Sequence, residues 1–196
     1  IKLTNPGGTE AWGWGEDLTS IHDQVPHFAV SPAEIITTMI RANELLRLPH
    51  SVHLHCNNLG KPGNYQTTLD TFELVPDLNP DRQSLYATHV QFHAYGGGTW
   101  RNICSKAEEI TRSINSKPQI VMDMGQIMFC RTMTMTADGP MEFNLHCLHH
   151  NKWSNHDVEL ETGSGIIPVT YSKKSAVNCI MWAIGLELAL LTKSPW

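Results

Sequence analysis

The sequence predicts an α/β fold in which helices cover a parallel sheet, and three observations support this prediction. Short apolar segments of strand length alternate with longer helical segments four times along the chain. Several of these short segments end in polar residues, and glycine-bearing turns follow. Alternation of this kind implies right-handed crossovers between parallel strands. Four such units make half of an eight-unit barrel or part of a doubly wound sheet, and periodicity leaves both architectures open.

The first strand and the first helix carry clear local signals. The opening residues "IKL" form an apolar segment that we assign to a strand. Ser31, Pro32 and Glu34 then form a capping box with proline in the first turn, which predicts a helix start. Apolar residues recur at helical spacing as far as Pro49, which is expected to stop the helix: Ile35, Met39, Ala42 and Leu46.

The later elements follow the same alternation. Three further strands are predicted over 51–56, 84–90 and 119–124. Helices are predicted over 64–75, about 102–116 and about 173–192. A long segment rich in Met and Thr separates the last strand from the last helix. That helix is strongly apolar, but Asn178 and Glu187 interrupt it, so we interpret it as a buried core helix rather than a membrane span.

Composition limits the classes of function. The chain has 196 residues and a formal net charge of -5, which gives no basic footprint for nucleic acid or for a membrane surface. Its 5 cysteines are odd in number and scattered, which favours reduced thiols in the cytoplasm. The chain starts without Met, on an apolar segment, and we expect a fragment of a longer polypeptide that forms one domain over 1–196.

Polar side chains gather at the predicted strand ends, where α/β proteins place their functional groups. His53 and His55 share one face of their strand because side chains alternate. Imidazoles from neighbouring strands suit zinc, and a buried lysine can react with carbon dioxide to give a carbamate that bridges two metals. The same residues could instead be satisfied core or surface groups. The set comprises Lys2, His53, His55, His89, His93 and Asp123.

Two other groups receive a structural interpretation. The stretch "HCLHHN" places His146, His149 and His150 at ligand-like spacing, but short motifs of this kind often match by chance. Cys56 is interpreted as a buried thiol without a chemical role.

Five stretches resemble one family. They are "IKLTNPGGTEAWGWG", "PHSVHLHCNNLGKPGNYQTTL", "THVQFHAYGGGTWRN", "MTADGPMEF" and "DVELETGSGIIPVTYS". Together they resemble the hydrolase subunit of formylmethanofuran dehydrogenases and its counterpart in bacterial formyltransferase/hydrolase complexes. That family belongs to the amidohydrolase superfamily of (β/α)₈ barrels with two zinc ions. The resemblance implies a partial TIM barrel, about strands 4 to 7 with their helices, from the centre of one barrel domain.

The resemblance also implies roles for individual residues. Lys2 matches the carboxylated lysine that bridges the metals, and His89 matches the strand-six histidine. The strand-five histidine falls on His53 or His55, and both remain open. The His-x-His pair of strand one and the aspartate of strand eight are missing, and Asp123 on strand seven does not take that aspartate's role.

The implied activity is the zinc-dependent interconversion of N-formylmethanofuran, or formylated methylofuran, with the free amine and formate. Asn57 and His93 are expected to contact the substrate, and the other subunits of the complex are the expected partners. One alternative is another dinuclear-zinc amidohydrolase that acts on a cyclic or N-acyl amide. A second alternative is a non-catalytic scaffold that has lost its metals. The presence of Lys2 together with the three strand-end histidines argues against this alternative.

Overall fold

The main sheet has four parallel strands. The computed structural model describes residues 1–13, 18–76, 81–136 and 165–193. The sheet contains β1 (Lys2–Thr4), β2 (Val52–His55), β3 (Leu85–Ala87) and β6 (Ile120–Met122), and each strand pairs with the next one in this order. The predicted parallel sheet is therefore confirmed. A doubly wound sheet reverses its order at a switch point, and no reversal occurs among these four strands. The sequential order is consistent with part of a barrel.

Helices follow the strands, with bounds close to the predicted ones. The helices are α1 (Gly8–Gly13), α2 (Pro32–Leu46), α3 (Tyr65–Glu73), α4 (Ala107–Ser116) and α5 (Ala176–Leu191). The short helix α1 was not predicted. Helix α4 starts five residues later than expected, because residues 104–105 form a strand instead.

The capping box at the start of α2 is confirmed. The backbone N–H of Glu34 donates to Ser31 Oγ at 3.3 Å, and the Glu34 carboxylate accepts from the Ser31 N–H at 2.7 Å. A cap of this kind contributes about 1 kcal/mol to stability. The helix ends at Leu46, where Arg47 takes a left-handed conformation, two residues before Pro49 is reached. Its buried side includes Ile36 and Ile40, one position beyond the apolar stripe that begins at Ile35.

The hydrophobic core lies between the sheet and the helices. Each strand turns alternate side chains towards this core, so Leu54 is fully buried between His53 and His55 in the sequence. Each such aliphatic side chain contributes about 1.5–3 kcal/mol when it leaves water. The sheet residues of the core are Val52, Leu54, Leu85, Ala87, Ile120 and Met122.

Two antiparallel pairs of strands lie outside the main sheet, and neither was predicted. Strands β4 (Tyr95–Gly96) and β5 (Cys104–Ser105) form a short pair before α4. Strands β7 (Arg131–Thr136) and β8 (Gly165–Thr170) pair within the segment rich in Met and Thr. His146, His149 and His150 fall outside the described residues.

The last helix packs one side against the core. Met181, Ile184 and Leu188 are buried, whereas Leu186 and Leu190 are exposed, so the prediction of a buried core helix holds for one face of α5 only. No helix in the described part of the chain combines the length and the apolar character that a bilayer crossing requires.

Candidate functional site

Strand register places the predicted site residues side by side. Lys2 pairs with His53, His53 pairs with Tyr86, and Tyr86 pairs with Val121 across the four parallel strands. Partners in register project to the same face of a sheet. These four residues also line one cavity of about 590 Å³. The face opposite the core therefore carries a row of three polar or ionisable side chains, Lys2, His53 and Tyr86, which ends at the apolar Val121.

Three imidazoles meet at the carboxyl ends of β2 and β3. The ring centroids of His53 and His55 lie 5.7 Å apart with an interplanar angle of 13°. The His55 ring lies 5.0 Å from that of His89, at 84° to it. His55 is thus the middle ring of the cluster. Alternation along β2 predicts the first contact, and parallel pairing of β2 with β3 produces the second.

The environment keeps the imidazoles of His53 and His55 neutral. Burial, with smaller contributions from His89 and Lys2, lowers the pKa of His55 to about 4. Burial and the nearby Lys2 charge also lower the pKa of His53. At neutral pH both rings therefore keep a nitrogen lone pair. The Nε2 atom of His53 is buried and has no hydrogen-bond partner among the described residues.

Lys2 lies beside this cluster but is exposed. The expected reaction of Lys2 with carbon dioxide requires a buried lysine, whereas the Lys2 side chain is exposed in the structure. The reason is its position on β1, which pairs with β2 alone among the described strands. Its register with His53 and its effect on the pKa of His53 and of His55 still place the ammonium near both rings.

His89 does not close a strand, as the sequence had suggested, but lies two residues beyond β3. Its backbone is left-handed, with φ at 55°, and it precedes a 3₁₀ helix over Val90–His93. Asp123 follows β6 directly and accepts a hydrogen bond from the His89 N–H at 2.7 Å. It also lies 3.3 Å from His89 Nδ1. Burial raises the pKa of Asp123, but hydrogen bonds from His89 and Thr88 outweigh burial and hold it well below its usual range.

Asn57 joins the loops that follow β1 and β2. Its side-chain amide donates to Asn5 Oδ1 at 3.1 Å and to the carbonyl of Pro6 at 3.0 Å. The Oδ1 atom of Asn57 is buried and has no hydrogen-bond partner among the described residues. Sequence reasoning missed Asn5, although the "NPGG" that follows the first strand was a usable signal.

His93 ends the 3₁₀ helix and is fully buried, with 0% exposure. Neither ring nitrogen has a hydrogen-bond partner in the described part of the chain. Burial lowers the pKa of His93 to about 3, with smaller contributions from His55 and His89.

The donor atoms of this cluster are of a chemical type that binds metal ions. A neutral imidazole is the form that binds zinc, and the buried, unpartnered His53 Nε2 is such a donor. In the described ranges, however, no three His, Cys, Asp or Glu side chains come together closely enough to hold an ion. The family resemblance does not imply a cluster of three such side chains in this chain. The metal ligands that it implies here are Lys2 and one histidine from each of two strands.

Cys56 follows the histidines but takes no part in this chemistry. The thiol is fully buried, and burial raises its pKa to about 12. A thiol in this state is a poor nucleophile and a poor ligand. The interpretation of Cys56 as a buried, inert thiol agrees with this environment.

Comparison with known proteins is consistent with this geometry. The amidohydrolase family profile matches residues 2–196. The chain is 52% identical to protein FwdA of Methanocaldococcus jannaschii over 99% of its length, and this match covers 35% of that protein. It is 32% identical, over its whole length, to a component of the formyltransferase/hydrolase complex Fhc of Methylorubrum extorquens, and this match covers 36% of that protein.

A solved structure gives the same result. The crystal structure of the formyltransferase/hydrolase complex from Methylorubrum extorquens, in complex with methylofuran, matches 98% of this chain with a TM-score of 0.83 and 32% identity. The match covers 35% of that chain, so the present sequence spans about a third of the length of these relatives. The close homologues are thus FwdA and its counterpart in the Fhc complex, and the chain belongs to the amidohydrolase family.

Proposed function

We propose that this chain forms part of a zinc-dependent hydrolase that interconverts an N-formylated furan amine with the free amine and formate. The amine is methanofuran or methylofuran. The observation that carries the proposal is the meeting of His55 and His89 at the ends of consecutive parallel strands, with Lys2 in the adjoining row. The named relatives support this choice, since one of them was solved with methylofuran bound.

The metal ligands of this chain are, in this proposal, His89, His55 or His53, and Lys2 in its carboxylated form. Because His55 is the ring next to His89, we favour it over His53. Carboxylation would replace the Lys2 ammonium, which cannot bind a cation, with an anionic oxygen donor. Bound zinc supplies a Lewis acid for the formyl oxygen and lowers the pKa of water to about 7.

The protein's own groups prepare this site in two ways. The lowered pKa of His55 leaves its ring nitrogen free of a proton at neutral pH, so no proton has to leave before it binds a cation. The unpartnered Oδ1 of Asn57 is an acceptor for the formamide N–H, and His93 is the second predicted substrate contact. In the net reaction water cleaves the C–N bond, the amine gains a proton, and formate leaves.

The same comparisons indicate the partners. The structural neighbour is a complex of several subunits, and we propose that the protein works within an assembly of that kind, in one-carbon metabolism. The alternative amidohydrolase, which would act on a cyclic or N-acyl amide, has no counterpart among these named relatives.

Formate release tests the proposal directly. The full-length protein, with its partner subunits, is expected to release formate from formylmethanofuran or its methylofuran analogue, and to leave N-acyl amino acids and cyclic amides intact. Metal analysis of the same preparation is expected to give two zinc ions per chain. Turnover of cyclic or N-acyl amides without formate release would favour the alternative enzyme, and absence of both metal and turnover would favour a scaffold.

A further inference from the structure

We propose that Asp123 is a positioning residue that fixes the orientation and the protonated nitrogen of His89. The inference rests on the proposed function only where it treats His89 as a metal ligand. The sequence identifies Asp123 only as a carboxylate at a strand end. Its positioning role is inferred from its contacts in the structure.

Neighbouring groups already engage both carboxylate oxygens of Asp123. Oδ2 accepts from Thr88 Oγ1 at 2.6 Å and from the Tyr86 hydroxyl at 3.1 Å. Oδ1 accepts from the His89 N–H at 2.7 Å and faces His89 Nδ1 at 3.3 Å. A carboxylate offers about four lone-pair sites. Three hydrogen bonds and the approach of His89 Nδ1 hold both oxygens against neighbouring residues, so Asp123 is placed to act through those neighbours.

The contacts on Oδ1 hold His89 at two points. One point is the backbone N–H, in a residue whose left-handed conformation turns the chain away from β3. The other is the ring itself, at Nδ1. Gly125 closes the remaining side, since a Cβ on that glycine would lie 3.0 Å from both the Cα and the Nδ1 of His89. The ring therefore has little freedom to turn.

The carboxylate also selects which ring nitrogen carries the proton. An acceptor beside Nδ1 favours the proton there, which leaves the Nε2 lone pair for a cation. Metal-binding histidines are commonly oriented in this way. Loss of the group that accepts the hydrogen bond from such a histidine typically lowers metal affinity or activity 10–100-fold.

Tyr86 extends the influence of Asp123 to a second histidine. Its hydroxyl is held by Asp123 Oδ2, while its ring lies 5.1 Å from the ring of His53. Tyr86 lies in β3 and Thr88 directly follows that strand, two positions on, so both side chains lie on the same face and reach Asp123. One carboxylate therefore fixes His89 directly and supports His53 through Tyr86.

The first test is imidazole ¹⁵N NMR of the metal-free, full-length protein labelled at histidine. His89 is expected to carry its proton on Nδ1, and Asp123→Asn is expected to shift it towards Nε2. The matched control is Asp70→Asn, which removes the same charge from a carboxylate that accepts a hydrogen bond from Gln66 in the same helix. An unchanged His89 signal in Asp123→Asn would overturn the proposal.

The second test is zinc affinity, measured against a competing chelator. Asp123→Asn is expected to weaken binding about 10–100-fold while the number of zinc ions at saturation stays the same. A lost zinc ion would instead show that Asp123 is itself a ligand. If Asp123→Asn does not fold, Asp123→Glu keeps the charge but lengthens the side chain, which displaces the carboxylate from the His89 N–H and from Nδ1. Unchanged zinc affinity together with an unchanged His89 tautomer in that variant would refute the proposal.

These readouts separate the two proposals. The NMR measurement needs neither metal nor substrate, and the zinc titration needs no turnover. A protein that binds zinc but releases no formate would overturn the proposed function while leaving the role of Asp123 intact.

Discussion

The ring of His55 faces the ring of His89 at 5.0 Å, almost edge to face, although the two residues belong to different strand–helix units. The contact follows from parallel pairing of β2 with β3, which brings the carboxyl ends of both strands to one rim. His53 stacks on the other side of His55. His55 is therefore the residue whose loss disturbs the cluster most.

We expect His55→Ala to weaken zinc binding of the full-length protein more than His53→Ala does, by at least about tenfold, since a ligand is lost rather than an outer-shell partner. His50→Ala is the matched control, because His50 is exposed and lies before the strand. Chelator competition measures all three variants. Equal or greater loss in His53→Ala would assign the strand-five role to His53.

Lys2→Ala is expected to abolish both zinc occupancy and formate release in the full-length protein. Small carboxylic acids should restore part of the activity, because they can replace the anionic bridge that the carboxylated side chain supplies. Lys174→Ala serves as the control, since Lys174 is an exposed lysine in the turn before α5. Unchanged zinc content in Lys2→Ala would remove Lys2 from the metal site.

Stability of the metal-free protein is expected to fall as the pH drops from 6.5 towards 4. The folded-state pKa of His55 is about 4 against 6.5 in the unfolded chain, so only the unfolded state takes up the proton in that window. The slope from this residue is at most about 1 kcal/mol per pH unit once solvent screening is allowed for.

Urea unfolding of the parent and of His55→Asn at several pH values measures this effect. The variant is expected to lose less stability across the window, and the two are expected to behave alike above pH 7. Parallel curves between pH 6.5 and 4 would show that His55 is not the group responsible.

Gly125→Ala is expected to disturb His89 although Gly125 contributes no side chain of its own. Gly125 has φ at 65°, which costs an alanine about 1–2 kcal/mol, and the new methyl would press on His89. Zinc affinity should therefore fall together with thermal stability. Gly98→Ala is the matched control, because nothing lies within 4 Å of a Cβ at that position. Equal behaviour of the two variants would contradict the close approach.

Leu54→Ala is expected to destabilise the protein by about 2–5 kcal/mol, because this fully buried side chain packs between the sheet and its helices. Leu45→Ala removes the same atoms from a side chain that is 85% exposed, and we expect less than about 0.5 kcal/mol there. Equilibrium unfolding in urea compares the two, and similar values would place Leu54 outside the core.

The parts of the fold that sequence could predict are those that local patterns determine. Alternation along 51–56 predicts that His53 and His55 share a face, and the capping box at Ser31 predicts the start of α2. The exact face of α2 was misplaced by one position, because Ile35 and Ile36 are both apolar and only packing decides between them. Strands β4 and β5 have two residues each, too few to show a period, whereas the Thr–Met alternation of Arg131–Thr136 was a usable signal for β7 that went unused.

Local sequence patterns could not predict the hydrogen-bond partners of Asp123. Its donors Tyr86 and Thr88 lie 37 and 35 residues away in sequence and meet it only through the pairing of β3 with β6. The left-handed backbone of His89 was equally hidden, since a strand assignment over 84–90 gives it an extended conformation. A usable signal was the parity of Tyr86 and Thr88, which places both on one face of the strand.

The order of strands in the main sheet has a consequence for how the site forms during synthesis. Each strand that leaves the ribosome meets the free edge of the one made before it, so the sheet can grow in one direction as the chain emerges. His53 and His55 can stack while β3 is still to come, whereas His89 gains its contacts with Asp123 only when the fourth strand arrives. The restraint on His89 is therefore among the last features of the cluster to be put in place.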